Sequence, residues 1–293
     1  MSEDDHNPPH GQREDTKSEL PSERERGTGA AIVEQVVTLV IAITIAFAIR
    51  WFLVEPFRIP SGSMFPTLLI GDHLFVNKLA YGPRVPFADV RLPGFREPQR
   101  GDVVVFEVGR PRTHDGGHEI MPVDRSPAGT RSEDFVKRLV GLPGDQITWR
   151  QDHLYVNGEI VELSTAEENF VDDDGVEYLT GWEDLVGCRH AVLDGPRSAR
   201  PPFDRGTHVV EPGRYFMMGD NRDNSNDSRN WGTVRLEELK GPAFILYWSW
   251  DVNGNMLSFF NPVNWWSANK RWDRVFTRVE CESVSGGGGS PGG

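Results

Sequence analysis

The stretch "AAIVEQVVTLVIAITIAFAIRWFLVEPF", starting at Ala30, constrains this chain more than any other. Its uncharged part, Val36 to Ile49, is 14 residues long. That length alone would also suit a buried helix or a signal-peptide core. Extended from Ala30 to Val54 it reaches 25 residues, about 37 Å of helix at ~1.5 Å per residue. Glu34 then falls near one membrane interface, and Arg50 can snorkel to the other beside Trp51. No other segment is this apolar, so the sequence predicts one transmembrane helix over 30–54. A cleaved leader is the rival, because "AFA" at 46–48 has small-x-small spacing. It lies inside the apolar run rather than after it, and cleavage would leave the apolar Ile49 to Val54 as a new N-terminus. An uncleaved anchor fits better. Arg13, Lys17, Arg24 and Arg26 precede the helix, while Arg50 and Arg58 follow it, which leans towards a cytoplasmic N-terminus.

Ahead of the anchor, residues 1–29 are charged, rich in Pro and Gly, and nearly free of large apolar side chains. Such a segment cannot offset its ordering entropy by burial and is predicted to be disordered. The 293-residue chain is long enough for a sizeable core. Its formal net charge of −13 argues against a nucleic-acid partner, which needs a basic surface. The two cysteines, Cys188 and Cys281, form no CxxC or Cys/His cluster, so neither a zinc site nor another metal cofactor is expected. Their 93-residue separation leaves a disulfide open.

Beyond the anchor, short apolar runs alternate with Gly and Pro. "HLFVNKLAYG" (73–82), "GDVVVFEV" (101–108), "DFVKRLVG" (134–141), "GRYFMMGDN" and "GPAFILYWSW" read as strands. "DHLYVNGEIVEL" (152–163) carries Asn157-Gly158 between two apolar runs, a strong hairpin signal. Helical periodicity is scarce. The predicted fold is mainly β, an antiparallel barrel or sandwich-like domain preceded by one transmembrane helix. The core would span 55–145 and 209–280, with an inserted β subdomain at 146–208 and a flexible Gly/Ser-rich tail over 281–293.

Three motifs carry possible chemistry: "PSGSM" with Ser61 and Ser63, "FVKRLVGLPGD" with Lys137, and "GDNRDNSNDSRNWG" (219–232). If strand alternation holds, Phe135, Lys137 and Leu139 share a face. A lysine on a buried face loses proton affinity and becomes available as a neutral base. Beside a serine hydroxyl it could complete a Ser-Lys nucleophile. The bland alternative has one of Lys137 and Arg138 facing solvent while the other forms an ion pair. In the third motif Asp223, Ser225 and Asp227 imitate the start of an EF-hand loop. Ser228 replaces the required Gly and Val234 the required Glu, so calcium is not expected. "THDGGHE" (113–119) and the acidic run Asp172, Asp173, Asp174 read as solvated loops.

Taken in order behind a membrane anchor, "PSGSMFPTLLIGDHLFVNK", "RGDVVVF", "KRLVGLPGD" and "GDNRDNSNDSRNWG" resemble the motifs of bacterial type I signal peptidases, over roughly residues 30 to 280. The resemblance implies a serine endopeptidase that removes signal peptides from secreted preproteins after a small-x-small motif. It implies Ser63 as nucleophile, Lys137 as general base, and an oxyanion hole of the Ser63 N–H and the Ser61 hydroxyl. Ser225 would orient the lysine, and Asp227 and Arg229 would form a structural ion pair. Phe57, Ile59, Leu68, Phe135 and Val136 would line the substrate pockets. Its partners would be preproteins and the lipid bilayer. It would sit in the bacterial inner membrane as a single-pass protein with its catalytic domain in the periplasm. The family's ending favours a final strand within "NWWSANKRWDRVFTRV". Two rivals remain: a self-cleaving Ser-Lys protease of the repressor type, against which the anchor and the acidic charge both count, and a catalytically dead membrane-tethered β domain, against which the intact Ser61, Ser63, Lys137 and Ser225 count.

Overall fold

In the computed structural model the apolar stretch is a helix, Thr28–Ala48, prolonged by a π-helical turn, Ile49–Leu53. Residues Ala31–Leu53 are long and apolar enough to cross a membrane, and the side chains described there are almost all exposed. Within that span Thr38 Oγ1 donates to the Glu34 carbonyl and Thr44 Oγ1 to the Val40 carbonyl, both at 2.8 Å. The hydroxyls therefore need no water, as a span requires. The structure describes residues 28–85, 88, 90–112, 119–166, 168–172, 175–194, 206–251, 263 and 270–283. The predicted disordered segment up to residue 27, the two-histidine loop at 113–118, Asp173 and Asp174, the Pro/Arg-rich loop at 195–205 and the tail from 284 lie outside the described residues. The chain divides into two units, Met1–Ala46 and Phe47–Gly293.

The second unit is built on an antiparallel sheet of eight strands. The order across it is Val54–Arg58, Asp72–Asn77, Leu239–Ser249, Val103–Gly109, Ser132–Gly141, Arg214–Met218 and Val234–Arg235, with Met121–Pro122 pairing beside Val103–Gly109. Ser132–Gly141 lies centrally, paired with Val103–Gly109 on one side and Arg214–Met218 on the other. Alternation along it feeds two different cores. Phe135 and Leu139 pack with Val104, Phe106 and Met217, whereas Val136 packs with Ile59, Leu68 and Val105.

Strands from the predicted insertion form most of two small sheets. One joins Gly206–Val209, Gln146–Arg150, His153–Val156 and Glu159–Ile160. Its hairpin turns at Asn157 (φ 56°) and Gly158 (φ 85°), the positive pair that the Asn-Gly signal implies. The other joins Phe170–Val171, Glu177–Asp184, Cys188–Asp194 and Glu282–Ser283, with Leu163–Thr165 alongside. The structure differs from the sequence reading in three places. The strand expected over 73–82 ends at Asn77, whose carboxamide accepts the Ala80 N–H at 3.2 Å and starts a helical turn, Lys78–Tyr81. The expected flexible tail starts later than 281, because Cys281 is bonded to Cys188 and Glu282–Ser283 pairs with Cys188 and Arg189. The expected final strand is a string of isolated bridges beside Leu239–Ser249, Trp250 to Lys270 and Ile245 to Arg278, broken by a 3-10 turn at Trp272–Arg274.

Candidate active site

Ser63 sits in a single 3-10 turn, Gly62–Met64, entered from an extended Ser61 and left through Phe65. This turn is clamped from outside. Asn221 Nδ2 donates to the Gly62 carbonyl at 3.0 Å, and the Asn221 N–H donates to the Ser63 carbonyl at 3.2 Å. A trans peptide points its N–H opposite to its C=O, so the Ser63 N–H faces away from Asn221. The Ser61 hydroxyl lies 3.5 Å from the Ser63 hydroxyl. Gly62 leaves room for the Phe65 ring, which a Cβ there would meet at 2.6 Å. The glycine thus serves packing behind the turn as well as openness at its tip.

Lys137 projects from the centre of Ser132–Gly141 and is 3% exposed. Its Nζ donates to Ser63 Oγ at 2.5 Å and lies 5.5 Å from the Phe135 ring centroid. Among the described residues it forms no ion pair. Burial pulls its pKa down to about 8, Asp227 and Asp220 pull it up, and Arg229 pulls it down again. The carboxylates act weakly because arginines already hold them. Arg229 Nε and Nη2 each reach Asp227 at 2.8 Å, and Arg138 grips Asp220 with Nε at 2.8 Å and Nη2 at 2.7 Å. Burial works to raise both aspartates, and these partners more than offset it, so both stay below the ordinary carboxylate range. Arg138 is therefore buried as well, 2% exposed, on the opposite face of the strand from Lys137. Neither half of the bland alternative describes this pair.

The remaining sequence-derived residues divide. Asp227 and Arg229 meet as an ion pair. Asp227 is the N-cap of a short helical turn, Ser228–Trp231, and also accepts the Arg229 and Gly219 N–H groups at 3.2 and 3.0 Å. Ser225 Oγ is buried and packs against Gly219, two residues from Asp227; no hydrogen bond joins it to Lys137. Ile59 and Leu68 are 2% and 0% exposed and form a floor on which half-buried Phe57 and Val136 rest. Phe135, next to Val136 on the strand, falls in the other core.

Sequence reasoning missed Gly219, Asp220 and Asn221. A Cβ at Gly219 would come within 2.4 Å of the Ser63 carbonyl oxygen and 2.3 Å of Ser225 Oγ, so only glycine fits between them. Asp220 also accepts from Thr67 Oγ1 at 2.6 Å, tying the segment after the nucleophile to Arg138. The signal was present in "GDN", read only as part of a polar loop. Behind Asp220 lies buried His190, with Nε2 3.8 Å from both Asp220 Oδ1 and Glu183 Oε1. Burial, then Arg138, lowers its pKa to about 4, against the pull of both carboxylates, so it is neutral at neutral pH.

A membrane-compatible helix followed by a β unit with a buried lysine on a serine hydroxyl defines a class, the Ser-Lys hydrolases. The family model described as signal peptidase, peptidase S26, matches residues 32–248. The chain belongs to that family and is a peptidase with signal peptidase function. It is 39% identical to a signal peptidase I of Pseudomonas aeruginosa over 219 residues, 70% of this chain and 69% of that one. It is 32% identical to a signal peptidase I of Rickettsia typhi over 273 residues, 86% of this chain and 96% of that one. A signal peptidase I of Enterococcus faecalis superposes on 50% of the chain at 24% identity with a TM-score of 0.25, too loosely to support any detail.

Proposed function

We propose that the chain is held in the cytoplasmic membrane of a bacterium by its Ala31–Leu53 helix, N-terminus inside. There it cuts signal peptides from preproteins after a small-x-small motif, with Ser63 as nucleophile and Lys137 as general base. The observation that carries this reading is the 2.5 Å contact from a buried Lys137 Nζ, its pKa drawn down to about 8, to Ser63 Oγ. The neutral amine takes the Ser63 proton as Oγ attacks the scissile carbonyl carbon. The oxyanion is received by the Ser63 N–H and the Ser61 hydroxyl, donors that act on charge developed only in the transition state. The Lys137 ammonium then protonates the departing amine. The neutral amine that remains takes a proton from water, which attacks the acyl-enzyme and frees Ser63. Asp227 and Arg229 support this step through charge balance, and Ser225 supports it by packing beside Asp227 rather than by touching the amine.

The fully buried floor of Ile59 and Leu68 under Phe57 and Val136 supports a shallow apolar recess, in which a large side chain would clash. The Cys188–Cys281 disulfide supports a periplasmic catalytic unit, because such bonds persist in oxidising compartments. The test is cleavage of a purified preprotein by the detergent-solubilised full chain. Ser63→Ala is expected to abolish product, and cleavage at the wild-type rate would overturn the reading.

A further inference from the structure

The chain carries a formal net charge of −13, which repels it from an anionic membrane face. Against that background one cavity of about 300 Å³ gathers five cations: Arg50, Lys78, Arg84, Arg91 and Lys240. Only two carboxylates, Glu55 and Glu107, line it with them. Arg50 and Trp51, which line it, also belong to the last turns of the apolar span Ala31–Leu53. The pairing inside is uneven. Lys78 meets Glu55 at 2.6 Å, Arg84 meets Glu107 at 3.2 Å, and Lys240 meets Glu107 at 3.4 Å and Asp134 at 2.7 Å. Arg50 and Arg91 form no ion pair among the described residues. Arg91 is anchored by its Nη atoms on the Gly82 and Leu239 carbonyls, while its buried Nε has no acceptor. Burial, then the like charge of Arg84, draws Arg91 down to about 10, so it stays charged at neutral pH.

We propose that this cavity binds the phosphodiester headgroup of an anionic glycerophospholipid, clamping the catalytic unit to the membrane surface. With Lys78, Arg84 and Lys240 paired and the Arg91 Nη atoms on carbonyls, Arg50 offers its guanidinium fork, which can bind phosphate oxygens in pairs, and the uncompensated charges of Arg50 and Arg91 leave the recess net positive. A basic recess at the end of a spanning helix is placed to meet such headgroups. Trp51 brings an amphipathic ring suited to the same depth. The site rests on the membrane-anchored reading above.

The experiment is native mass spectrometry of the full chain in non-ionic detergent, titrated with dioctanoyl phosphatidylglycerol or dioctanoyl phosphatidylcholine, with glycerol 1-phosphate as competitor. Membrane flotation is run in parallel. Phosphatidylglycerol is expected to bind at least about tenfold more tightly than phosphatidylcholine, with glycerol 1-phosphate a poor competitor. Arg50→Gln combined with Arg84→Gln should remove the preference. Arg50→Glu is the second variant: that side chain is exposed and forms no ion pair among the described residues, so reversal changes its charge without breaking one. It should weaken phosphatidylglycerol and leave preprotein cleavage in phosphatidylcholine unchanged. Equal binding of the two lipids, equal displacement by glycerol 1-phosphate, or a preference that survives in both variants would each overturn the site. A chain that floats yet shows no preference removes this inference alone. A chain that does not float removes the anchor and the site together.

Discussion

Two regions of the molecule treat lysine in opposite ways. In the cavity at the end of the span, Lys240 is given two carboxylates and Lys78 one. At the centre of the main sheet, Lys137 is given none and faces a serine hydroxyl instead. Acidic groups are not scarce there, since Asp220 and Asp227 are both fully buried nearby. They are already held, each by an arginine in a two-pronged contact. Because Arg138 and Arg229 engage the carboxylates, desolvation dominates at Lys137 and the amine is released as a base. The contrast teaches that burial can lower the proton affinity of Lys137 because arginines already hold the nearby carboxylates.

The largest effect separates the two regions by activity. Lys137→Ala and Lys137→Arg are each expected to lower kcat by about 10³-fold or more, arginine failing because it does not lose its proton. Lys240→Gln is expected to change kcat less than about threefold. Steady-state cleavage of one preprotein by all three variants checks this, and similar losses throughout would erase the contrast. Next comes stability. Lys137 is held charged in a dry site below its folded pKa of about 8, against 10.5 for an ordinary lysine, which costs the native state about 3 kcal/mol at pH 7. Lys137→Met should therefore raise stability by up to that amount at pH 7. The gain should fade between pH 8 and 10.5, where the folded amine has shed its proton and the unfolded one has not. Urea titrations at pH 7 and pH 10 measure it, and an equal gain at both would contradict the origin given. A smaller effect is expected from Arg229→Gln. Freeing Asp227 removes a positive neighbour and raises the Lys137 pKa, so activity near pH 7.5 should drop about tenfold while the alkaline plateau changes less. The shape of the profile is the readout, because partial misfolding scales every rate and does not move the acid limb.

What could be read from sequence follows from range. The anchor, the Asn-Gly hairpin and the shared face of Phe135, Lys137 and Leu139 rest on local periodicity, and the backbone realises them within a few residues. "PSGSM" and the lysine motif were legible as chemistry, but the 74-residue gap between Ser63 and Lys137 is bridged by distant contacts: Asn221 holds the nucleophile's turn, and Asp220 links Thr67 to Arg138 on the central strand. Those ties were not legible, since a polar loop residue shows no sign of which distant carbonyl or hydroxyl it will meet. Asp227 and Arg229 pair through a capped helical turn, a geometry that their spacing in the polar motif does not announce. The Cys188–Cys281 pair, 93 residues apart, depends on a two-residue strand joining the second small sheet, and no local pattern announces that.

The most direct test of the lysine assignment is the pH dependence of kcat/KM for the full chain on a preprotein. Lys137 works only when neutral, so activity should rise through an acid limb near pH 8 and level off above it. A limb near the ordinary lysine value of ~10.4, or a rate flat from about pH 6 to 9, would contradict a desolvated Lys137 as the base that activates Ser63.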